Sequence, residues 1–358
     1  MRTRRDFLVQ SGLSTAALLL ARYNGLAQES LPAAEGPASS QHPPAGQPVL
    51  APASEGQTPA PQAPAPASTN PAVQPNPDLI QQLRAAAAAE TIKTTKLIDT
   101  IFLLQGVGGN IVCQIGPDGK LLVDSGIDTG TRHLLNALGK LDMHPLKLLV
   151  NTHWHFDHTS GNAALHLQGA MVVAQTNTRI RLSSPQYMQV YDVHFTAASD
   201  AALPQDTFPD TETLWVNNDQ VDLVYTPDAH TDSDIFVHFV KGNVIHTGDL
   251  WFNGMYPLID LSSGGTINGM IRGVDQVLAL ADDHTQIVPG HGAEGDKDDL
   301  QAYREMLVTV ADRVEKLKAQ GNTVQQAITA KPTADLDATW GKGSIQPNTF
   351  VALVYDSL

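Results

Sequence analysis

Residues 151–158 read Asn-Thr-His-Trp-His-Phe-Asp-His and follow directly on a compact apolar run at 146–150. His153 and His155 are two residues apart, so an extended backbone points both imidazoles to the same side. There they can reach one cation at about 2.0–2.1 Å. Asp157 and His158 follow a bend and are placed to reach a second cation. This interpretation requires a fold that brings further ligands to the loop; a loop of solvent-exposed histidines is the alternative.

Three more potential ligands stand downstream, each after an apolar run: His230, Asp249 and His291. A lone His or Asp at the end of a strand is most often a turn residue or a satisfied surface group. Each position alone is therefore weak evidence, and its weight comes from its order relative to the 153–158 run.

The first 27 residues have the pattern of an export signal. Arg4 and Arg5 precede a short apolar segment, and small residues at Gly25 and Ala27 are typical of a cleavage site. The paired arginines resemble the twin-arginine type of signal. We therefore expect cleavage after Ala27 and a periplasmic or otherwise exported protein. A short membrane anchor and a core helix are the alternatives, for which the apolar run is too short and too early.

Residues 28–77 are rich in Pro, Ala, Ser and Gln. They hold 13 of the 23 prolines and have no Lys, Arg or aromatic residue, so they cannot bury enough apolar surface to fold. We predict a disordered linker there, followed by a lead-in helix over 78–95 that starts at Asp78 as its cap and runs through 85–89.

The acidic balance of the chain limits its partners. The 358 residues include 22 Lys and Arg against 37 Asp and Glu, a formal net charge of −15. Loss of residues 1–27, with their four Arg and one Asp, takes this to −18. Nucleic-acid binding needs clustered Lys and Arg, so we predict a small-molecule substrate and no nucleic acid. The single cysteine, Cys113, cannot form an internal disulfide. No apolar run approaches the roughly 18 residues of a membrane span.

From about residue 96 onward, short apolar runs alternate with amphipathic stretches. Strands are predicted at 97–104, 111–115, 121–123, 146–150, 170–173, 213–216, 221–225, 235–240, 244–247 and 286–288. Helices are predicted at 131–141, 267–281 and 300–320. The mixture predicts an α/β sandwich over residues 96–358 whose strand-end loops carry the site.

The chain after residue 95 resembles the metallo-β-lactamase superfamily. The motifs that carry the resemblance are Leu-Val-Asp-Ser-Gly at 122–126, Thr-His-x-His-x-Asp-His at 152–158, His230, Thr-Gly-Asp at 247–249 and Pro-Gly-His-Gly at 289–292. The resemblance implies a four-layer αββα sandwich with a two-metal site at one edge of the paired sheets.

The same resemblance implies a role for each ligand. The implied ligands of the first cation are His153, His155 and His230. Those of the second are Asp157, His158 and His291, and Asp249 bridges the two. Asp124 matches a family position outside direct contact with the metals; a turn-forming aspartate after a strand is the alternative.

Imidazole and carboxylate donors suit Zn²⁺ and also accept iron or manganese. We therefore predict two Zn²⁺ ions per chain, which lower the pKa of a shared water to supply a hydroxide nucleophile. Asp157 is the predicted catalytic residue that orients this hydroxide. The predicted reaction is hydrolysis of an ester, thioester, lactone or amide, with β-lactams among the candidates. Asp249 stands where many β-lactamases carry Cys, and Phe252 where many carry a carboxylate-binding Lys. The pattern is therefore more similar to the glyoxalase II and lactonase branches.

The segment after Asp249 is rich in aromatic residues. Trp251, Phe252 and Tyr256 are candidate apolar walls of a substrate pocket, and Asn253 is a candidate oxyanion donor. Ordinary core packing is the alternative for this segment.

Two further groups of residues are interpreted more simply. Residues 183–210, with Tyr187, Tyr191 and Phe195, form a covering loop or, as the alternative, a lid over the site. The remaining histidines fit no ligand pattern and are interpreted as structural or surface groups: His133, His144, His166, His194, His238, His246 and His284.

Two other kinds of protein share parts of the pattern. A barrel amidohydrolase also uses His-x-His, but its metal ligands end with Asp rather than with a residue like His291, and it lacks the Asp-His continuation. A non-catalytic metal-binding or partner-binding module is the third possibility. The presence of all seven ligands argues against a site that has lost its activity.

Overall fold

The computed structural model describes residues 70–358. The predicted export signal (1–27) and residues 28–69 of the predicted linker lie outside the described residues. Residues 70–77 lie inside them, and for these the prediction of disorder is wrong. Ala72 is buried, and the Gln74 and Asn76 N–H groups donate to the carbonyls of Val190 and Tyr191 at 2.7 and 2.9 Å. Backbone hydrogen bonds to the folded domain and the burial of Ala72 hold this segment in place.

The described residues form ten α-helices, numbered here in chain order. The helices are α1 (Leu79–Ala89), α2 (Thr131–Leu141), α3 (Phe156–Thr159), α4 (Asn162–Leu167), α5 (Thr176–Leu182), α6 (Ile267–Leu280), α7 (Lys297–Ala319), α8 (Val324–Thr329), α9 (Asp337–Trp340) and α10 (Pro347–Ser357). The α2 helix has the predicted bounds. The α7 helix begins three residues before the predicted start, because Asp296 and Asp299 form a capping box there.

Fourteen strands are described in residues 70–358. The strands are β1 (Lys93–Lys96), β2 (Ile101–Gln105), β3 (Ile111–Gln114), β4 (Lys120–Val123), β5 (Leu146–Asn151), β6 (Met171–Gln175), β7 (Gln186–Met188), β8 (Val193–Phe195), β9 (Asp206–Phe208), β10 (Thr211–Val216), β11 (Asp219–Tyr225), β12 (Ile235–Phe239), β13 (Val244–His246) and β14 (Gln286–Val288).

The strands form two large sheets and a small hairpin. The first sheet has the order β1-β2-β3-β4-β5-β6-β9 and the second the order β10-β11-β12-β13-β14, while β7 pairs with β8. In the first sheet β4, β5, β6 and β9 are parallel. In the second, only β13 and β14 are parallel. The carboxyl ends of β5, β13 and β14 are where the predicted ligands follow.

The two sheets pack face to face around a shared apolar layer. Val112 and Val150 of the first sheet and Val237 and Phe239 of the second belong to one fully buried cluster. A second cluster joins the outer face of the first sheet to α2 and α4. A third joins the outer face of the second sheet to α6, α7 and α10. The predicted four-layer αββα sandwich is therefore confirmed, and the barrel alternative is wrong because the strands form two open sheets.

The lead-in region differs from its prediction. The α1 helix ends at Ala89, and residues 93–96 form β1 instead of continuing the helix. Asp78 occupies the position before the helix but makes no capping hydrogen bond with its side chain. The β1 strand, Lys-Thr-Thr-Lys, has no apolar residue, so its sequence gives no strand pattern. It forms by pairing with the buried β2, where Thr95 lies opposite Leu103.

Two further predictions concern single features of the domain. Cys113 is buried in β3, and burial raises the pKa of its thiol to about 12 although the charge of Lys120 opposes this. Across residues 70–358, no helix is long and apolar enough to cross a membrane.

Candidate metal centre

The 153–158 run lies at the carboxyl end of β5. The chain leaves the strand at Asn151, passes through an extended turn, and enters the one-turn helix α3 at Phe156. The Thr159 hydroxyl donates to the carbonyls of Trp154 and His155 at 3.1 and 2.9 Å, which closes this turn. The local hydrogen bonds therefore place the side chains of the run on a compact, rigid loop.

Four buried residues form the first group of potential ligands. One nitrogen or oxygen from each lies within 4.8 Å of the others; the residues are His153, His155, His230 and Asp249. His230 comes from the loop between β11 and β12, and Asp249 from a 3-10 turn directly after β13. Three separate segments of the chain therefore meet at this point.

A second group lies beside the first: Asp157, His158 and His291. The His291 Nε2 is 3.4 Å from Asp157 Oδ2 and 3.4 Å from Asp249 Oδ2. The side chains of Asp157 and His291 are 22% and 23% exposed, whereas those of His153 and His158 are fully buried. The site is therefore open to solvent on the side of Asp157 and His291.

Asp249 lies between the two groups. Its Oδ1 is 3.2 Å from His158 Nε2, and its Oδ2 is 3.8 and 3.6 Å from the Nε2 atoms of His153 and His230. One carboxylate therefore faces ligands of both groups, as expected of a bridging residue.

Carboxylates hold three of the imidazoles from behind. The far nitrogen of His155 lies 3.0 Å from Asp260 Oδ2, and that of His230 lies 3.3 Å from Asp234 Oδ1. Such contacts fix the tautomer and the orientation of a ligating imidazole. They leave Nδ1 of His155 and Nε2 of His230 to face the centre.

Asp124 performs the same function for His158. It is fully buried directly after β4 and has a left-handed backbone, with φ of 67°. Its Oδ2 accepts hydrogen bonds from His158 Nδ1 and the Thr152 hydroxyl, both at 2.7 Å. The Thr152 hydroxyl lies in turn 3.0 Å from His153 Nδ1. Asp124 thus orients two imidazoles in addition to shaping a turn.

The electrostatics reflect the crowding of imidazoles and carboxylates. Burial lowers the pKa of His153 well below its usual value, and the neighbouring histidines lower it further. Burial opposes the charging of His158 as well, but Asp249 and Asp124 raise its pKa well above the ordinary range. Burial also opposes the ionisation of Asp249, yet His291 and His158 hold its pKa well below its usual value. The site therefore favours ionised carboxylates.

Two observations indicate that cations fit this site. His153 Nε2, His230 Nε2 and Asp249 Oδ1 are buried polar atoms without a hydrogen-bond partner, and leaving such atoms unpaired is costly. Every ion-pair contact of the clustered carboxylates within residues 70–358 is with a histidine rather than with Lys or Arg. Cations bound among imidazole and carboxylate ligands would satisfy both conditions.

Close backbone approach makes the centre compact. A Cβ atom on Gly290 would overlap Asp249 Oδ1, and one on Gly109 would overlap the ring of His158. Glycine is therefore required at both positions for the strand-end turns to close on the ligands.

The candidate pocket residues separate into two kinds. Trp251 and Tyr256 are fully buried in the core next to the second sheet, where Tyr256 stacks on Phe350 at 4.6 Å. The Nδ2 of Asn253 donates to the Ala293 carbonyl at 2.9 Å. The pocket interpretation is wrong for Trp251 and Tyr256. The side-chain amide of Asn253, the candidate oxyanion donor, instead donates its hydrogen bond to the backbone of a turn.

The Phe252 side chain contacts two of the predicted ligands. Its ring stacks on that of His291 with centroids 5.2 Å apart and lies 5.8 Å from His230. The aromatic run gives no periodicity that distinguishes an inward from an outward residue, so the sequence predicts Trp251, Phe252 and Tyr256 alike as apolar walls.

The 183–210 segment is a packed cover rather than an open flap. Met188 and Val190 are buried in the core. The Phe195 ring packs against those of Trp154 and Phe156, with ring centroids 5.9 and 6.2 Å apart. Burial raises the pKa of Tyr191, and the charges of Asp157 and Asp249 raise it further. Tyr187 is on the outer surface, where it stacks on His194 at 4.5 Å.

The seven histidines interpreted as structural stand outside both ligand groups. The residues missed by sequence reasoning are those behind the ligands, mainly Asp234 and Asp260. Asp234 lies four residues after His230, and this spacing was a usable indication. Asp260 lies 105 positions from His155, and no local pattern connects the two.

An αββα sandwich with this His and Asp cluster at one edge defines a metal-dependent hydrolase. A sequence model of the metallo-beta-lactamase superfamily matches residues 105–313, more than half of the chain. The chain belongs to the metallo-beta-lactamase superfamily.

Solved structures share the fold. The metallo-beta-lactamase from Pontibacter korlensis is similar with a TM-score of 0.52 and 20% identity over 61% of this chain and 99% of that chain. The DIM-1 metallo-beta-lactamase is similar with a TM-score of 0.50 and 21% identity, over 61% of this chain and 98% of that chain.

A sec-alkylsulfatase, Pisa1 from Pseudomonas sp., gives a TM-score of 0.59 and 17% identity over 79% of this chain and 53% of that chain. The present chain thus spans about half the length of the sulfatase. Among curated protein sequences, none matches the chain significantly.

Proposed function

We propose that this chain is an exported hydrolase with two Zn²⁺ ions that cleaves an ester, thioester, lactone or amide. The observation that carries the proposal is the position of Asp249 between two ligand groups, 3.6 Å from His230 Nε2 of the first group and 3.2 Å from His158 Nε2 of the second. A site for a single metal ion would use only the first group of ligands and would leave Asp157, His158 and His291 without a bound cation.

The residues of the chain have separate tasks in this proposal. The two ligand groups would hold Zn²⁺ ions, which would supply a hydroxide nucleophile near neutral pH and a Lewis acid for the scissile carbonyl. Asp157, whose carboxylate is partly exposed at the open side, is placed to orient the attacking group and to accept its proton. Asp124, Asp234 and Asp260 hold the imidazoles so that the ligand atoms do not reorganise during reaction.

The surroundings of the ligands favour a substrate with an uncharged, apolar group. Phe252 covers one face of the His291 ring and lies 5.8 Å from the His230 ring. Aromatic and aliphatic walls bind acyl or alkyl groups, whereas a carboxylate-bearing substrate such as a β-lactam requires a cation. The structural neighbours are named as a β-lactamase and an alkylsulfatase. Hydrolysis of a β-lactam and of a sulfate ester are therefore the activities against which the proposed one is compared.

Export is part of the proposal. Arg4 and Arg5 with the following apolar segment support a twin-arginine signal, and an exported enzyme would not meet glutathione thioesters of the cytosol. Fractionation of cells that produce the full chain, with Lys replacing both arginines as the control, tests this directly.

The ligand assignment is tested with a pair of histidine variants. We expect His155→Ala to abolish turnover and to lower the metal content, because it removes a buried ligand atom of the first group. His238→Ala, in the half-buried part of β12, is expected to keep both properties. Metal analysis of purified proteins provides the measurement, and an unchanged metal content in His155→Ala contradicts the assignment.

The reaction is tested with a substrate panel comprising an acyl ester, a thioester, a lactone, nitrocefin and an alkyl sulfate. We expect turnover of at least one of the first three, loss of turnover after chelation, and recovery with Zn²⁺. Two bound metals without turnover of any substrate would instead support a binding module, and preferred hydrolysis of nitrocefin would overturn the preference for an uncharged, apolar substrate.

A further inference from the structure

Asn110, the residue directly before β3, contacts the turn that carries His291. Its backbone N–H donates to the Gly290 carbonyl at 2.8 Å. Its side-chain Nδ2 donates to the carbonyls of Pro289 and Gly292, both at 2.9 Å. Asn110 is almost fully buried, so water does not replace these bonds readily. Three donor contacts from the residue that precedes a strand of the first sheet therefore hold a turn that follows a strand of the second sheet.

His246, the last residue of β13, connects Asn110 to the turn that carries Asp249. The Gly248 N–H donates to His246 Nδ1 at 3.0 Å, so the neutral ring has its proton on Nε2. This Nε2 lies 3.0 Å from the Asn110 carbonyl oxygen, to which it donates. The ring is fully buried, and it belongs to neither ligand group.

The two turns also contact each other. The Gly290 N–H donates to the Gly248 carbonyl at 2.7 Å, and the Gly290 backbone is so close to the Asp249 carboxylate that a Cβ would overlap it. A shift of the turn with His291 would therefore be transmitted to Asp249.

His291 needs this support more than the other imidazoles do. Asp260, Asp234 and Asp124 hold His155, His230 and His158, whereas among the described residues no carboxylate holds the Nδ1 of His291. The position of His291 must then come from its backbone and from the stacked ring of Phe252.

We propose that Asn110 and His246 are positioning residues that lock the turns of Asp249 and His291 together and thereby set the affinity of the second cation position, formed by Asp157, His158 and His291. This inference rests on the proposed function to the extent that the chain must bind two cations. Removing the Asn110 amide is expected to weaken the second cation selectively, because the first group depends on His291 only through Asp249.

The test uses Asn110→Asp, which keeps the side-chain shape and the backbone contacts but removes both amide donors. Metal-free protein is titrated with Co²⁺ and followed by its visible spectrum, which reports the geometry of each equivalent. We expect the first equivalent to bind as in wild type and the second to bind about tenfold to a hundredfold more weakly.

The matched control is Asn217→Asp. The Asn217 Nδ2 likewise donates to a turn carbonyl, that of Gly119, at 2.9 Å, but this turn lies at the opposite end of the first sheet. Both variants lose an amide bond to a turn, so a general loss of stability affects both proteins. Only Asn110→Asp is expected to change the second equivalent.

A second pair of variants tests the imidazole. His246→Gln retains a donor and an acceptor and is expected to bind the second equivalent more tightly than His246→Phe, which has neither. This comparison keeps the inference testable if Asn110→Asp does not fold.

The outcomes distinguish a failure of the proposed function from a failure of the positioning role. A wild-type protein that binds fewer than two Co²⁺ ions would overturn the proposed dinuclear function itself. Two tight equivalents in wild type and in Asn110→Asp alike would overturn the positioning role and leave the function intact. Equal weakening of both equivalents in Asn110→Asp would overturn the selectivity for the second position.

Discussion

Asp260 shows how a buried carboxylate shapes the metal centre from a distance along the chain. Burial opposes its ionisation, but hydrogen bonds from His155, Ser262 and Ser263 lower its pKa to about 2. Its backbone N–H donates to the His230 carbonyl at 2.9 Å. One residue therefore fixes the ring of one ligand and the backbone of another, both in the first group.

We expect Asp260→Asn to lower the affinity for the first cation about tenfold to a hundredfold, because the neutral amide polarises and orients the His155 ring less strongly. The measurement is competition with a chromophoric chelator at fixed pH.

Asp219→Asn is the matched control for this change. Asp219 is a buried carboxylate that accepts hydrogen bonds from the Lys241 N–H and Gln114 Nε2 at 2.8 and 3.1 Å. It lies at the start of β11 and contacts none of the ligands. Equal affinities in the two variants would show that Asp260 does not tune the site.

At the residue scale, the sequence predicts the metal ligands better than the residues that hydrogen-bond to the ligands and to their turns. The His-x-His-x-Asp-His spacing is dense enough to identify its own chemistry, and the resemblance extends it to His230, Asp249 and His291, which the structure brings together. Asp260 and Asn110 are single polar residues whose contacts form only after distant segments meet. No spacing in the sequence marks them.

Among the elements, α1 illustrates a segment that precedes the matched family region and still contacts the site loop. Ile80 and Leu83 pack against the cluster of Ala87, Ile127 and Phe156. The guanidinium of Arg84 lies 5.6 Å from the centroid of the Phe156 ring. Because Phe156 directly precedes Asp157, α1 supports the backbone that carries the predicted catalytic carboxylate.

We expect Leu83→Ala to lower the free energy of unfolding by about 1–2 kcal/mol, somewhat less than for a fully buried leucine because Leu83 is half-buried. Urea unfolding monitored by circular dichroism measures this change. Gln82→Ala, an exposed position on the same helix, is expected to leave the stability nearly unchanged. Two variants of equal stability would mean that α1 does not pack on the domain.

The elements that were predicted well are those with strong internal patterns. The buried strands β3, β5, β12 and β14 were found to within one residue at each end, since apolar runs bounded by turn residues identify them. The polar β1 and the short β7, β8 and β9 were missed, because their formation depends on pairing with neighbours rather than on their own composition. The α10 helix was missed as well, although it packs in the core beside the second sheet.

At the scale of the whole molecule, the fold explains why ligands scattered over about 140 positions can meet. The two sheets align the carboxyl ends of β5, β13 and β14 at one edge, so each loop that leaves them delivers its ligand to the same place. The sequence predicted this architecture through its alternating pattern and family resemblance. The way residues 70–77 attach to the 190–191 turn could not be predicted, since it rests on backbone hydrogen bonds that any sequence can make.

The most direct test of the account is a crystal structure of the zinc-loaded protein with anomalous scattering measured at the zinc edge. We predict two peaks, one among His153, His155 and His230 and the other among Asp157, His158 and His291, with the Asp249 carboxylate in contact with both. A single peak, or two peaks of which one lies away from Asp249, would contradict the shared, bridged centre on which the proposed hydrolysis depends.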